Sequence, residues 1–280
     1  MKFKYMKTLY VTDLDGTLLN SNSSISEYSK NIINGLVEKG MLFTYATARS
    51  LTSASVVAKG LSTEIPIIAY NGAFIIEPSN GKILSSNFIT EEQKDFLKET
   101  FQKHNVSPLV YAYVDGVEKV TFRTDRENEG IQHYLNVRKG DKRFNPLTEE
   151  EADRLYLGDS FYYTCIGEKE ELQPVYEALK DNEAFNVLFH QEIYRTEYWC
   201  EILPKKATKA NAIAELKKLW CCDRVVSFGD AVNDIPMFEI SDECYAVENA
   251  VEELKKIATG IIASNEEDGV AKWLMENWQK

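Results

Sequence analysis

Long apolar runs are missing from this 280-residue sequence. No segment reaches the ~20 apolar residues that a bilayer-spanning helix requires, and the first residues lead into no signal-length apolar stretch. No membrane association is expected, and the expected location is the cytoplasm. Basic charge is also scarce: 32 Lys and Arg stand against 44 Asp and Glu, a formal net charge of −12. That excludes a general nucleic-acid binder, which needs a basic face for the phosphate backbone. It leaves phosphate-bearing substrates open, because a metal and a few local cations reverse the field inside a site. Cysteine occurs five times, at Cys165, Cys200, Cys221, Cys222 and Cys244. An odd count without a CxxC pair fits neither a disulfide framework nor a zinc site, so buried free thiols are expected. The three histidines, His104, His133 and His190, show no ligand spacing. Repeats and low-complexity tracts are absent. What remains, 44% hydrophobic and 27% charged residues, is ordinary for a globular chain.

Periodicity supplies the organisation. The run 8–12 is apolar and β-branched, which predicts a buried strand. Ser26 caps a predicted helix over 28–39, with Ile32, Ile33, Leu36 and Val37 on one face. Gly40 closes it, and 41–46 is the next strand. A helix over 53–61 and a third strand over 66–70 follow. Such alternation predicts a doubly wound, parallel α/β sheet. The pattern then changes: a helix over 91–104, a hairpin turning at Asp115-Gly116, and further strands and a helix through 190. From Lys209 the alternation returns. The economical division is a discontinuous α/β core, 1–83 with 191–280, interrupted by an α+β insertion over 84–190.

Two carboxylate clusters stand at predicted strand ends. Asp13-Leu14-Asp15-Gly16-Thr17-Leu18-Leu19 places two acids one residue apart at the carboxyl edge, where open α/β sheets bind ligands. Such a pair can hold a hard cation while Gly16 turns the chain; an acidic turn capping a helix is the alternative. Gly229-Asp230-Ala231-Val232-Asn233-Asp234 follows the strand 225–228 and could complete the same site, or could be a capped helix start. Lys209 has the competing reading of a solvated helix face, shared with Lys205, Lys206, Lys217 and Lys218. The aromatics Tyr111, Tyr113, Tyr162, Tyr163, Tyr194, Tyr198 and Trp199 alternate along strands, which signals sheet packing, with room for one or two to line a pocket.

These two clusters resemble the first and last motifs of the haloacid-dehalogenase-like hydrolases. Ala46-Thr47-Ala48-Arg49 resembles the superfamily's phosphate-binding hydroxyl motif, and Lys209 its motif lysine. Tyr70-Asn71-Gly72-Ala73 and Ser264-Asn265-Glu266-Glu267-Asp268-Gly269-Val270-Ala271 resemble the Cof-type branch, whose core carries a large inserted α/β cap. Ala48 departs from the glycine usual there, and Glu248, beside Asn249-Ala250, is also less usual.

The resemblance implies a phosphatase acting on a small phosphorylated metabolite, a sugar phosphate or phosphorylated cofactor, with the cap setting specificity. Asp13 would be the nucleophile. Asp15 would protonate the leaving oxygen and then activate water. Mg2+ would be held by the carboxylates of Asp13 and Asp230 and the carbonyl of Asp15. Thr47 and Lys209 would hold phosphate oxygens, with Arg49, Asn233 and Asp234 in support. Electrostatics demands as much, since a carboxylate approaches phosphate only where cations offset both charges. A sugar phosphomutase and a non-catalytic phospho-ligand-binding protein are the rival functions. Monomer and homodimer remain equally open.

Overall fold

The computed structural model describes residues 6–191 and 195–278; Tyr194 lies outside the described residues. The chain divides into two compact units, one running to Ser86 and resuming at Ala207, the other spanning Asn87–Lys206.

The first unit is built on a five-stranded parallel sheet in the order Gly260–Ile262, Glu243–Val247, Arg224–Gly229, Thr8–Thr12, Leu42–Tyr45. In Thr8–Thr12, Leu9, Tyr10 and Val11 are all buried, as is usual where both sheet faces are covered. Ser26 caps the helix Glu27–Glu38 by accepting from the Ser29 amide, and that helix buries Ile33, Leu36 and Val37. On the helix Gly269–Asn277, Trp273 packs its ring 5.2 Å from Phe228 and 4.4 Å from Tyr245. This is the doubly wound α/β core expected from the sequence.

The third expected strand exists but belongs elsewhere. Ile67–Ala69 meets the main sheet through the bridge Ala46–Ile68 and pairs antiparallel with Phe74–Ile76, which pairs in turn with Ile83–Ser86. The chain reverses at once because Tyr70, Asn71 and Gly72 take φ of 50°, 52° and 100°, leaving no length for a crossover helix. Gly72 is obligatory there: a Cβ would lie 2.1 Å from the carbonyl oxygen of Thr208, the residue that caps the helix Lys209–Leu219.

The second unit holds a six-stranded sheet ordered Phe185–Gln191, Tyr198–Pro204, Asp159–Gly167, Leu109–Val114, Val117–Arg123, Phe144–Leu147. All neighbours are antiparallel except the last pair. The hairpin turns at Asp115 and Gly116, both left-handed, as an Asp-Gly pair favours. Leu97 and Phe101 of the helix Glu91–Lys103, and Leu172 and Val175 of the helix Lys169–Leu179, cluster with Tyr163, Cys165, Cys200 and Ile202 from one sheet face. Tyr198–Pro204 is part of this sheet, so the unit continues past residue 190, where the insertion was read to end. All five cysteines are free; Cys221 is exposed, unlike the other four.

Candidate active site

Asp13 follows Thr8–Thr12 directly, its amide donating to the Phe228 carbonyl at 2.9 Å. The neighbouring strand ends in Gly229 and leads into Asp230, so both acidic motifs leave adjacent parallel strands at the same edge. Lys209 opens its helix and is only 2% exposed. Its ammonium lies 2.5 Å from Asp13 Oδ1 and 2.7 Å from Asp234 Oδ1. Asp234 is fully buried and also accepts, through Oδ2, from the amides of Asp230 at 3.0 Å and Ala231 at 3.2 Å. It thus fixes both the lysine and the turn carrying Asp230.

Thr17 donates its hydroxyl to Asp230 Oδ1 at 2.7 Å. Gly16 takes φ of 80°, and a Cβ on it would lie 2.3 Å from Asp230 Oδ2. Only glycine lets the two loops close to this distance. Asp15 turns the other way. Its carboxylate, half exposed, receives Arg49 through Nε at 2.7 Å and Nη2 at 2.5 Å. Thr47 is fully buried, with its hydroxyl accepting from the Arg49 amide at 3.1 Å. Asn233 is partly buried and makes none of the side-chain hydrogen bonds of this cluster.

The electrostatics are those of crowded anions around one cation. Burial holds the Asp13 carboxyl well above the usual range; Lys209 pulls it down, while Asp234 and Asp230 push it up. Burial likewise raises Asp230 to about 6, against the stabilising hydroxyl of Thr17. Lys209 stays protonated, because Asp13 and Asp234 together more than offset its burial. Hydrogen bonding to Asp15 raises Arg49. Ligand oxygens of Asp13, Asp230 and Asp234 lie within 4.8 Å of one another. The two Asp234 oxygens are already engaged, so Asp13 and Asp230 are the members that could turn a carboxylate oxygen to a hard cation such as Mg2+. An all-oxygen donor set with surplus negative charge fits that ion.

The contacts of three residues escaped the sequence reading. Thr17 was visible as part of a motif but carried no assigned partner. Asn249 donates to the Gly16 carbonyl at 2.7 Å and accepts from the Asn265 amide at 3.1 Å. Asn265 donates in turn to the Leu19 carbonyl at 2.8 Å. Together they tie the 264–268 turn to the loop that carries Asp13 and Asp15.

A family model described as haloacid dehalogenase-like hydrolase matches residues 10–274. Two Bacillus subtilis (strain 168) proteins named 5-amino-6-(5-phospho-D-ribitylamino)uracil phosphatase are similar along nearly their whole length. YitU is 28% identical over 279 residues, 96% of each chain. YwtE is 27% identical over 282 residues, 94% of this chain and 95% of its own. Among solved structures, the crystal structure of TM0651 from Thermotoga maritima superposes with a TM-score of 0.77 at 27% identity, covering 98% of both chains.

Proposed function

The chain belongs to the haloacid dehalogenase-like hydrolases and is a phosphatase of that family; on that premise we propose that it hydrolyses small phosphomonoesters with magnesium, through a phosphoryl group carried on Asp13. The observation that carries this reading is the Lys209 ammonium held between Asp13 and Asp234. A buried cation touching one carboxylate, and locked by a second, is poised to receive a phosphate oxygen beside a nucleophile.

In the proposed reaction an Asp13 oxygen attacks phosphorus and the ester P–O bond breaks. Lys209 and the Thr47 hydroxyl take equatorial oxygens. Asp15 protonates the departing alkoxide, and its pair with Arg49 opens as it turns to do so. Asp15 then takes a proton from the water that cleaves the acyl phosphate. Asp13, Asp230 and the Asp15 carbonyl would hold Mg2+, which when bound would supply positive charge that offsets repulsion between the carboxylates and phosphate. Asn233 and Asp234 would support that site, the latter by fixing Lys209. The substrate class is sugar phosphates and phosphorylated cofactors, which includes the phosphoribityl compound for which two relatives are named. The second unit, Asn87–Lys206, selects among them.

The test is phosphate release from a panel of phosphorylated metabolites, with Mg2+ and with chelator. Full turnover without divalent metal would sink the metal assignment. Asp15→Asn protein, quenched in acid, should carry its phosphoryl group on Asp13 by mass spectrometry. Phosphate on a serine, histidine or cysteine would overturn the mechanism.

A further inference from the structure

The turn that follows Glu243–Val247 reaches both acidic loops at once. That strand lies two places from Thr8–Thr12 in the parallel sheet, with Arg224–Gly229 between them, and Gly260–Ile262 lies one place further out. Parallel strands release the chain at one edge, about 4.8 Å apart. The 248–251 turn and the 263–268 loop therefore stand in line with the loops of Asp230 and Asp13. All of these residues belong to the first unit.

From the turn, the Val251 amide donates to the Asp230 carbonyl at 2.8 Å. The Asn249 side chain reaches further and donates to the Gly16 carbonyl at 2.7 Å. Asn249 is itself oriented, accepting from the Asn265 amide at 3.1 Å, and the Asn265 side chain donates to the Leu19 carbonyl at 2.8 Å. The 13–19 loop is thus held at two of its carbonyls from outside, besides the Thr17 hydroxyl on Asp230 Oδ1.

Gly16 is where such a hold matters. It takes φ of 80° and lies so close to Asp230 that a Cβ would meet Oδ2 at 2.3 Å. Glycine has the freest backbone of any residue, so the direction of its peptide groups, and of the Asp15 carbonyl just before it, depends on what they bond to. Asn249 is exposed, so water could take over its hydrogen bonds, but water could not fix a direction. We propose that Asn249 is a positioning residue of the active site: through the Gly16 carbonyl it sets the 13–19 loop against Asp230, and so sets the donor geometry offered to a divalent cation. This rests on the magnesium reading above.

Asn249→Leu keeps the approximate volume and removes both donor and acceptor. Calorimetric titration of the whole protein with Mg2+ alone should show affinity falling by about ten-fold or more, as when a group that orients metal ligands is removed. Hydrogen exchange reports the loop without any metal. The amides of Leu18 and Leu19, which donate to the Leu14 carbonyl at 3.1 Å and 2.8 Å, should exchange faster in the variant. The Ala46 amide, bonded to the Thr12 carbonyl at 2.9 Å, should keep its rate, because the opening is local. Asn265→Leu leaves its backbone amide on Asn249 and removes only the link to Leu19, so a smaller loss in the same direction is expected. Wild-type Mg2+ affinity in Asn249→Leu overturns the proposal. Faster exchange at Ala46 to the same extent overturns it too, since Asn249 would then support the fold at large. Failure of the wild type to bind Mg2+ would instead remove the magnesium reading. The exchange pattern then decides alone: loosening confined to the loop supports the positioning role, and uniform or unchanged exchange overturns it.

Discussion

Buried acids in the two units are treated in opposite ways. In the first, Asp13 and Asp234 share Lys209, Asp230 receives Thr17, and Asp234 also takes two backbone amides. In the second, Glu201 has one tyrosine and beside it a threonine with no partner among the described residues. A saturated network is rigid and fixes geometry before any ligand arrives, whereas an unsaturated one leaves free energy for a ligand to recover. The first arrangement holds its carboxylates in fixed positions, whereas the second leaves a carboxyl without a cation and a hydroxyl without a partner among the described residues.

The sharpest attack on the first arrangement is Asp13→Asn, which keeps the shape and removes the proposed nucleophile. Turnover should fall by about a thousand-fold or more, equivalent to roughly 4 kcal/mol of transition-state stabilisation, measured as steady-state phosphate release. Lys209→Met should be nearly as severe for the fold. Two buried carboxylates would lose their shared cation, and unfolding in urea should show a loss of about 3–5 kcal/mol. A loss below about 1 kcal/mol would mean that the network is not saturated. Thr17→Val removes one hydrogen bond to a charged oxygen, so about 1.5–3 kcal/mol is expected, with a higher Mg2+ concentration needed for half-maximal activity.

The smallest effect belongs to Glu201 and is read from pH. Its carboxyl sits at about 7 in the folded chain because of burial, above its ordinary unfolded value. The folded state therefore binds the extra proton, and this contribution to stability is present in acid and lost as pH rises through about 7. Thermal midpoints of wild type and Glu201→Gln should diverge over that window, the wild type falling relative to the variant. Parallel curves would place Glu201 with the compensated acids.

Where the sequence was sufficient, the physics was local. Alternating strands and helices, the Ser26 cap and the Asp115-Gly116 turn all follow from neighbours within a few residues. The acidic loops and Lys209 were legible for a different reason: their residue order resembled a known family, and the fold then placed them together. Contacts between distant residues were not legible. Nothing near Asn249 announces that its partners are the Gly16 carbonyl and the Asn265 amide. Ile67–Ala69 has the composition of a parallel core strand, and only the left-handed run from Tyr70 sends it into a hairpin. Glu201 interrupts an apolar strand, Trp199-Cys200-Glu201-Ile202-Leu203, and its isolation depends on what the neighbouring strands do not provide.

The pairing of Thr8–Thr12 with Arg224–Gly229 has a consequence for synthesis. Thr17 and Asp230 are 213 positions apart, and ribosomes add about 5–20 residues per second. For many seconds the segment bearing Asp13 exists without Lys209, Asp230 or Asp234. A nascent chain therefore carries Asp13 and Asp15 before Lys209, Asp230 and Asp234 exist to surround them. The buried network is completed late, by the arrival of the chain's last third, and a product ending before Lys209 would lack the cation that Asp13 shares with Asp234.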